Sequence, residues 1–195
     1  MKPTALSLRS IATLCAALLF GISTSAQAQI VKLQTSVGDI RVELDAQHAP
    51  KSTANFLQYV KSGHYNGTVF HRVIESFMIQ GGGYDAKLNQ RPTKPPIPLE
   101  SHNGLSNLRG NLAMARTGDP NSATSQFFIN VVDNVRLDGS PEEPASGYAV
   151  FGKVIEGMDV VDKIRAVETT SKGIHQNLPT QDIFITKALI EPAKK

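Results

Sequence analysis

Disulfide chemistry, metal ligation and charge-driven binding have little to stand on in this chain of 195 residues. It has one cysteine, Cys15, and that residue lies in an N-terminal stretch that reads as a removable leader. The mature protein then has neither thiol nor disulfide, and in an oxidising compartment it must hold together by packing. Its five histidines, at 48, 64, 71, 102 and 175, show no metal-ligand spacing and have no cysteine partners. No serine sits in a G-x-S-x-G elbow, so serine hydrolysis has no support. Gly81-Gly82-Gly83 is not followed by Gly-Lys-Ser/Thr and lacks the dinucleotide fingerprint. These glycines read as a turn that stops a strand. No repeat, heptad or low-complexity tract is present, and Glu142-Glu143 reads as a solvated loop tip rather than an acid–base pair.

The leader is expected to span residues 1–28. Lys2 and Arg9 form a basic start, residues 11–22 form an apolar run too short to cross a bilayer, and Ala26-Gln27-Ala28 is an A-x-A cleavage site. Leu14, before Cys15, is too large for a lipoprotein cleavage site, so no acylated N-terminus is expected. Export through a cleaved signal peptide to the periplasm follows, with the folded domain over 29–195. The formal net charge of +3 for the whole chain shrinks without the leader: losing Lys2 and Arg9 leaves 18 of 20 basic residues against 17 acidic, or +1. Neither nucleic acid nor an anionic membrane surface is an expected partner.

The whole chain has 41% hydrophobic and 19% charged residues, the balance of one globular domain with its own core. Residues 30–35 and 39–45 alternate as strands around a turn at 36–38. Pro50 opens a helix that Gly63 stops, with Ala54, Leu57 and Lys61 along one stripe and Phe56, Tyr59 and Val60 on the opposite edge. Further strands are expected at 111–116, 126–132, 147–155 and 181–190. A short helix follows Gly157, with Val161, Ile164 and Val167 inward and Asp159 near its positive end. Residues 84–110, rich in proline, form a long irregular connection, and 192–195 a frayed tail.

Residues 70–82, FHRVIESFMIQGG, organise the rest. Alternation puts Phe70, Arg72 and Ile74 on one face and Val69, His71 and Val73 on the other. Arg72 thus sits between apolar neighbours, while His71 reads as a satisfied histidine on the core side. In residues 125–131 Phe127, Ile129 and Val131 make an apolar face; Phe128 is an aromatic on a face otherwise formed by Gln126 and Asn130. Loop cover over Phe128 and a binding role for it fit the pattern equally.

FHRVI-x-x-FM-x-QGG, the later MA…SQFFI and then FGKV together resemble the cyclophilin family of peptidyl-prolyl cis–trans isomerases, over nearly all the chain after residue 30. The leader and Tyr148 are most similar to the bacterial periplasmic branch. The resemblance implies a mainly β fold: a closed eight-stranded antiparallel barrel capped by two α-helices, solidly packed, with the site on its outer wall. It implies rotation about X–Pro bonds of unfolded or flexible proline-containing polypeptides, with no cofactor, by a chain expected to be a monomer. Arg72 takes the family's catalytic position. Phe77, Met78 and Phe128 take the proline-pocket positions, with Leu137 at the rim. Gln80 and Gln126 take the polar orienting positions, and Ala115 and Arg116 those that meet the peptide main chain.

Two positions depart from the family pattern. Arg136 stands where many eukaryotic members have a tryptophan that contributes to cyclosporin binding, so weak cyclosporin affinity is expected. Tyr148 stands in place of a histidine and can still pack and donate a hydrogen bond. The segment 139–147 is an insertion. The competing reading is a proline-peptide binding or holdase chaperone that uses the same groove with little turnover.

Overall fold

Alternation of apolar and polar residues builds the first hairpin. Val31 and Leu33 of β1 (Gln29–Thr35) and Ile40 and Val42 of β2 (Gly38–Leu44) are fully buried, since every second strand residue shares a face. The pair runs without a slip from Gln29 opposite Leu44 to Thr35 opposite Gly38. The computed structural model describes residues 29–192. The expected leader, 1–28 with Cys15, and the last part of the expected tail, 193–195, lie outside the described residues.

The chain continues through α1 (Pro50–Lys61), β3 (Thr68–Ile74), β4 (Met78–Asp85), β5 (Asn111–Met114), β6 (Phe127–Asn130) and β7 (Val150–Glu156). It ends with α2 (Met158–Arg165), β8 (Thr169–Lys172), β9 (His175–Pro179) and β10 (Phe184–Ile190). Among the described residues eight strands close an antiparallel barrel in the order β1-β10-β3-β4-β6-β5-β7-β2, while β8 and β9 pair only with each other. The barrel and its two helices are as the resemblance implied. Closure leaves no open edge for another chain to extend.

The interior is filled by side chains. Phe56 of α1 meets the rings of Tyr65, Phe127 and Phe151 at 5.1, 5.3 and 5.2 Å between centroids. Val160, Val161 and Ile164 of α2 join the same cluster. Each such side chain contributes about 1.5–3 kcal/mol by leaving water, which a chain without disulfides needs. α1 lies against β7 and β10, and α2 against β2, β3 and β4. Pro50 occupies the start of α1, and Gly63, at φ +71°, follows its end; both positions match the sequence reading. Asp159 stands in the first turn of α2 and Lys163 and Arg165 in the last, as the helix dipole favours.

Several expectations need correction. Ala54 and Lys61 of α1 are exposed; its buried face is Ser52, Thr53, Asn55, Phe56, Leu57, Tyr59 and Val60. Gly81–Gly83 do not form a turn, because β4 runs through them to Asp85. β5, β6, β7 and β10 are shorter than their apolar patterns. The β8–β9 hairpin was not expected at all: all four residues of β8 are exposed, so it carries no burial period. Finally, Phe70 and Arg72 do not share a face. Phe70 opposes Gly81 and Arg72 opposes Gln80, so β3 advances two residues where β4 advances one. This bulge at His71 turns Phe70 into the barrel and Arg72 out of it.

Candidate functional site

Directly opposed strand residues point to the same side of a sheet. The registers place Arg72 opposite Gln80, Gln80 opposite Phe128, Phe128 opposite Ala113, and Ala113 opposite Val150. One outward row thus crosses β3, β4, β6, β5 and β7. The neighbouring row, Val73, Ile79, Ile129, Leu112 and Gly152, points inward. The pleat alone therefore sets an arginine, a glutamine and an aromatic side by side on the outer wall.

Around this row lies a small second apolar cluster. Met78, Ala113, Phe128 and Val150 are its buried members, and Ile74, Phe77, Leu105, Ala115, Leu137 and Tyr148 pack against it. Phe77, Met78, Phe128, Ala115, Leu137 and Tyr148, expected from the sequence to border a groove, are gathered here. The Phe128 and Tyr148 rings meet edge to face at 5.6 Å, a favourable aromatic geometry. Tyr148 packs as the sequence reading expected of it.

Arg72 lies at the border of that cluster and is half-buried. Its Nη1 donates to Gln80 Oε1 at 3.2 Å and lies 4.0 Å from Met78 Sδ, with the guanidinium carbon 6.0 Å from the Phe77 ring centre. Gln80 Nε2 donates in turn to Gln126 Oε1 at 2.9 Å. The glutamines form a relay that fixes the guanidinium plane. Among the described residues no carboxylate pairs with Arg72, so the rest of its N–H groups are uncommitted to an anion.

Arg116 reaches the site indirectly. Its Nε donates to the Gly147 carbonyl at 2.9 Å, its Nη2 to that of Ala145 at 3.4 Å, and its guanidinium stacks 4.8 Å from the Tyr148 ring. Its side chain clamps the 139–147 insertion, leaving its main chain for other contacts. Arg136 lies 4.8 Å over the Phe77 ring, an exposed cation–π contact of modest strength.

A buried polar frame stands behind the slot, and the sequence reading missed it. Asn134 Nδ2 donates to the Phe77 carbonyl and to Asn130 Oδ1, both at 2.8 Å. Asn130 Nδ2 donates to Asn107 Oδ1 at 3.2 Å. Asn107 donates from its amide nitrogen to Asp138 Oδ1 at 2.7 Å and from Nδ2 to the same oxygen at 2.9 Å. Ser106 Oγ bonds the other Asp138 oxygen. The frame ties the turn that carries Phe77 to the segment that carries Arg136 and Leu137. Gly83 was missed too. A Cβ there would meet Gln126 Cγ at 2.6 Å, so the absent side chain makes room for the relay. A glycine inside a strand beside polar residues was the available signal.

His71 departs from its expected place. It is buried, but on the outer side, against Tyr84 at 4.6 Å between ring centres and His175 of β9 at 6.4 Å. Among the described residues its Nδ1 has no hydrogen-bond partner of good geometry. Burial pushes its pKa down to about 4, helped by the nearby His175 and Arg72 and opposed by Val69 and Gln126. It is therefore neutral near pH 7.

The pattern that describes the cyclophilin type peptidyl-prolyl cis-trans isomerase/CLD family matches residues 30–190. The chain is 52% identical over 179 residues to a peptidyl-prolyl cis-trans isomerase of Acinetobacter baylyi, covering 90% of this chain and 94% of that one. It is 54% identical over 160 residues to peptidyl-prolyl cis-trans isomerase A of Dickeya dadantii, covering 82% and 83%. A crystal structure of a Cryptosporidium parvum cyclophilin type isomerase, in the presence of the dipeptide Ala-Pro, superposes with a TM-score of 0.70. The two chains are 29% identical, with 84% of this chain and 99% of that one covered.

Proposed function

This chain belongs to the cyclophilin-type peptidyl-prolyl cis–trans isomerase family, and we propose that Arg72 is the donor with which it turns the X–Pro bonds of exported, unfolded or flexible polypeptides. The protein is a peptidyl-prolyl cis–trans isomerase. The reaction breaks no covalent bond. Its barrier of about 18–20 kcal/mol is the amide resonance that rotation must remove, and unaided exchange takes tens to hundreds of seconds.

Twisting the amide makes the prolyl nitrogen pyramidal and frees its lone pair to accept a hydrogen bond. In either planar isomer that lone pair is committed to resonance. A donor aimed at the nitrogen thus favours the twisted state over both ends of the reaction, and only such a difference accelerates it. The observation that carries this reading is Arg72 itself, held by Gln80 and Met78, beside the Phe77 ring and free of a carboxylate among the described residues. An acceleration of about 10⁵ needs about 7 kcal/mol, more than one hydrogen bond supplies. The fixed glutamine relay and the apolar slot contribute the rest by removing reorganisation and water.

In this reading Phe77, Met78 and Phe128 receive the rigid apolar proline ring, with Leu137 and Tyr148 at the rim. The Ala115 amide already donates to the Gln126 carbonyl at 3.0 Å, so Ala115 would offer its carbonyl to the peptide main chain, and Arg116 its own main chain. Contacts of this kind accept many sequences around the proline. Arg136, in place of the tryptophan of many eukaryotic members, supports weak cyclosporin binding. The leader supports a periplasmic protein, and the closed barrel supports a monomer.

The test is a protease-coupled isomerase assay on an Ala-Pro peptide with the chain from Gln29 onward, with and without cyclosporin. Acceleration that micromolar cyclosporin leaves largely intact is expected. Peptide binding without acceleration would instead mark a binding module. N-terminal sequencing of protein recovered from the periplasm should begin at Gln29; retention of residues 1–28 would refute export by cleavage.

A further inference from the structure

The β8–β9 hairpin carries an anomaly at its tip. β8 is wholly polar and exposed, Thr169 to Lys172, yet the turn after Gly173 presents Ile174 with 89% of its surface exposed. Among the described residues no other large hydrophobic is so exposed. A lone surface hydrophobe is ordinarily unremarkable; the position of this one is not. Ile174, His175 and Gln176 close a cavity of about 310 Å³ whose other walls are His71, Arg72, Gln80, Tyr84 and Gln126. Arg72 and its glutamine relay therefore have two sides. One faces the slot of Phe77, Met78 and Phe128, and the other faces this cavity.

We propose that the cavity is a second subsite that takes a large apolar or aromatic side chain flanking the substrate proline, with Ile174 and His175 setting the preference. This deepens the reading of Arg72 and the proline slot and rests on it. The chemistry of the walls selects the occupant. Tyr84 stands edge to face with His175 at 4.9 Å and tilted against His71 at 4.6 Å, so three rings form one wall. Among the described residues no acidic one lines the cavity, and Arg72 is its one permanently charged group. An aromatic occupant would gain ring edges from Tyr84 and His175, dispersion from Ile174 and the face of the guanidinium. A basic occupant would meet Arg72 unfavourably. Reach is sufficient, because successive Cα atoms are about 3.8 Å apart and Arg72 borders both spaces. The hairpin packs on β3, the strand that bears Arg72, so the wall is fixed relative to the donor.

The experiment uses two Pro-containing peptide series, one varying the residue before proline and one the residue after it, through Ala, Leu, Phe, Glu and Lys. The wild-type chain, Ile174→Ser and Leu108→Ser, a control at an exposed side chain outside the cavity lining, are compared by kcat/KM. The expected result is a preference of about tenfold for Phe or Leu over Ala in one series, the effect of partly burying one such side chain. Ile174→Ser should reduce that ratio to about twofold, and Leu108→Ser should leave it as in the wild type. The Ile174 methyl resonances should shift on titration with the Phe peptide and stay in place with the Ala peptide. Equal rates across both series, a preference for Glu, or a ratio untouched by Ile174→Ser would each overturn the subsite while leaving the proline site standing. No turnover of any peptide would overturn both.

Discussion

Phe127 and Phe128 are adjacent, and both are hidden from water, at 0% and 4% exposure, yet they serve different parts of the molecule. Phe127 points inward to Phe56, Tyr65 and Phe70. Phe128 points outward to Tyr148, Met78 and Ala113. The inward cluster draws on nearly every element and needs few polar contacts, such as the Tyr65 hydroxyl donating to the Ser125 carbonyl at 2.9 Å. The outward cluster is small, open at one side, and backed by asparagines and an aspartate. A single step along one strand thus separates the residues that make the barrel stable from those that make it useful.

Truncating one ring on each side tests the separation most severely. Phe127→Ala should cost about 3–5 kcal/mol of stability, because its neighbours collapse only partly into the void. Turnover per folded molecule should stay near wild type. Phe128→Ala should cost less stability, since its site borders solvent, but should raise KM for an Ala-Pro peptide severalfold. Urea unfolding with kinetics on the folded fraction reads both, and the comparison breaks if the two variants behave alike. Arg72→Ala comes next. It should lower kcat about 100–1,000-fold, the usual cost of one transition-state donor, with little change in peptide binding or in the urea midpoint. Arg72→Lys should rescue poorly, because a lysine cannot keep the planar grip on Gln80. Equal losses in kcat and in binding would argue against a bond made mainly in the twisted state.

The polar frame supplies a smaller effect that bears on both regions. Asn134→Ala removes the donor to the Phe77 carbonyl and to Asn130 Oδ1. The Phe77 carbonyl keeps the Val131 amide as donor at 3.1 Å, so one buried acceptor, Asn130 Oδ1, is left unpaired, at a cost of about 1–3 kcal/mol. If the frame positions the slot, KM should rise more than kcat falls, and Asn134→Ser should recover part of both by restoring one donor. A variant that loses stability alone would make the frame purely structural.

The inward half of this arrangement was easy to read from the sequence. Phe127, Ile129 and Val131 alternate cleanly, as do Val31, Leu33, Ile40 and Val42, because burial on one face leaves a period of two. The outward half was legible only as motif. Nothing local to Phe70-His71-Arg72 announces a bulge, which depends on the register of β4, and so the strict alternation assigned Phe70 and His71 to the wrong sides. Asn107, Asn130 and Asn134 read singly as ordinary polar residues; their bonding to one another spans 27 positions of chain and appears only on folding. The same holds for Gly83, whose meaning lies in Gln126, and for Ile174, whose meaning lies in Arg72.

Acid should separate the two regions most gently. His71 is the buried titratable group of the outer wall, and its pKa of about 4 lies below the value of about 6.5 it takes when unfolded. The unfolded chain therefore binds the proton first as pH falls. The contribution of His71 to stability is complete above pH 6.5, declines between about 6.5 and 4, and does not change further below that. Between pH 7 and pH 5 the loss should be about 2 kcal/mol, and His71→Gln should flatten that slope. The carboxylates titrate elsewhere: the Asn89 amide holds Asp85 below its usual value and the Arg109 guanidinium does the same for Asp162, so their losses fall below about pH 4. Hydrogen exchange at pH 5 should then quicken in β9 and at Tyr84, which pack on the His71 ring, before it quickens in β1, β2 and β6. Uniform quickening would mean that the outer wall and the interior open as one unit, and that the division between Phe127 and Phe128 is one of chemistry but not of stability.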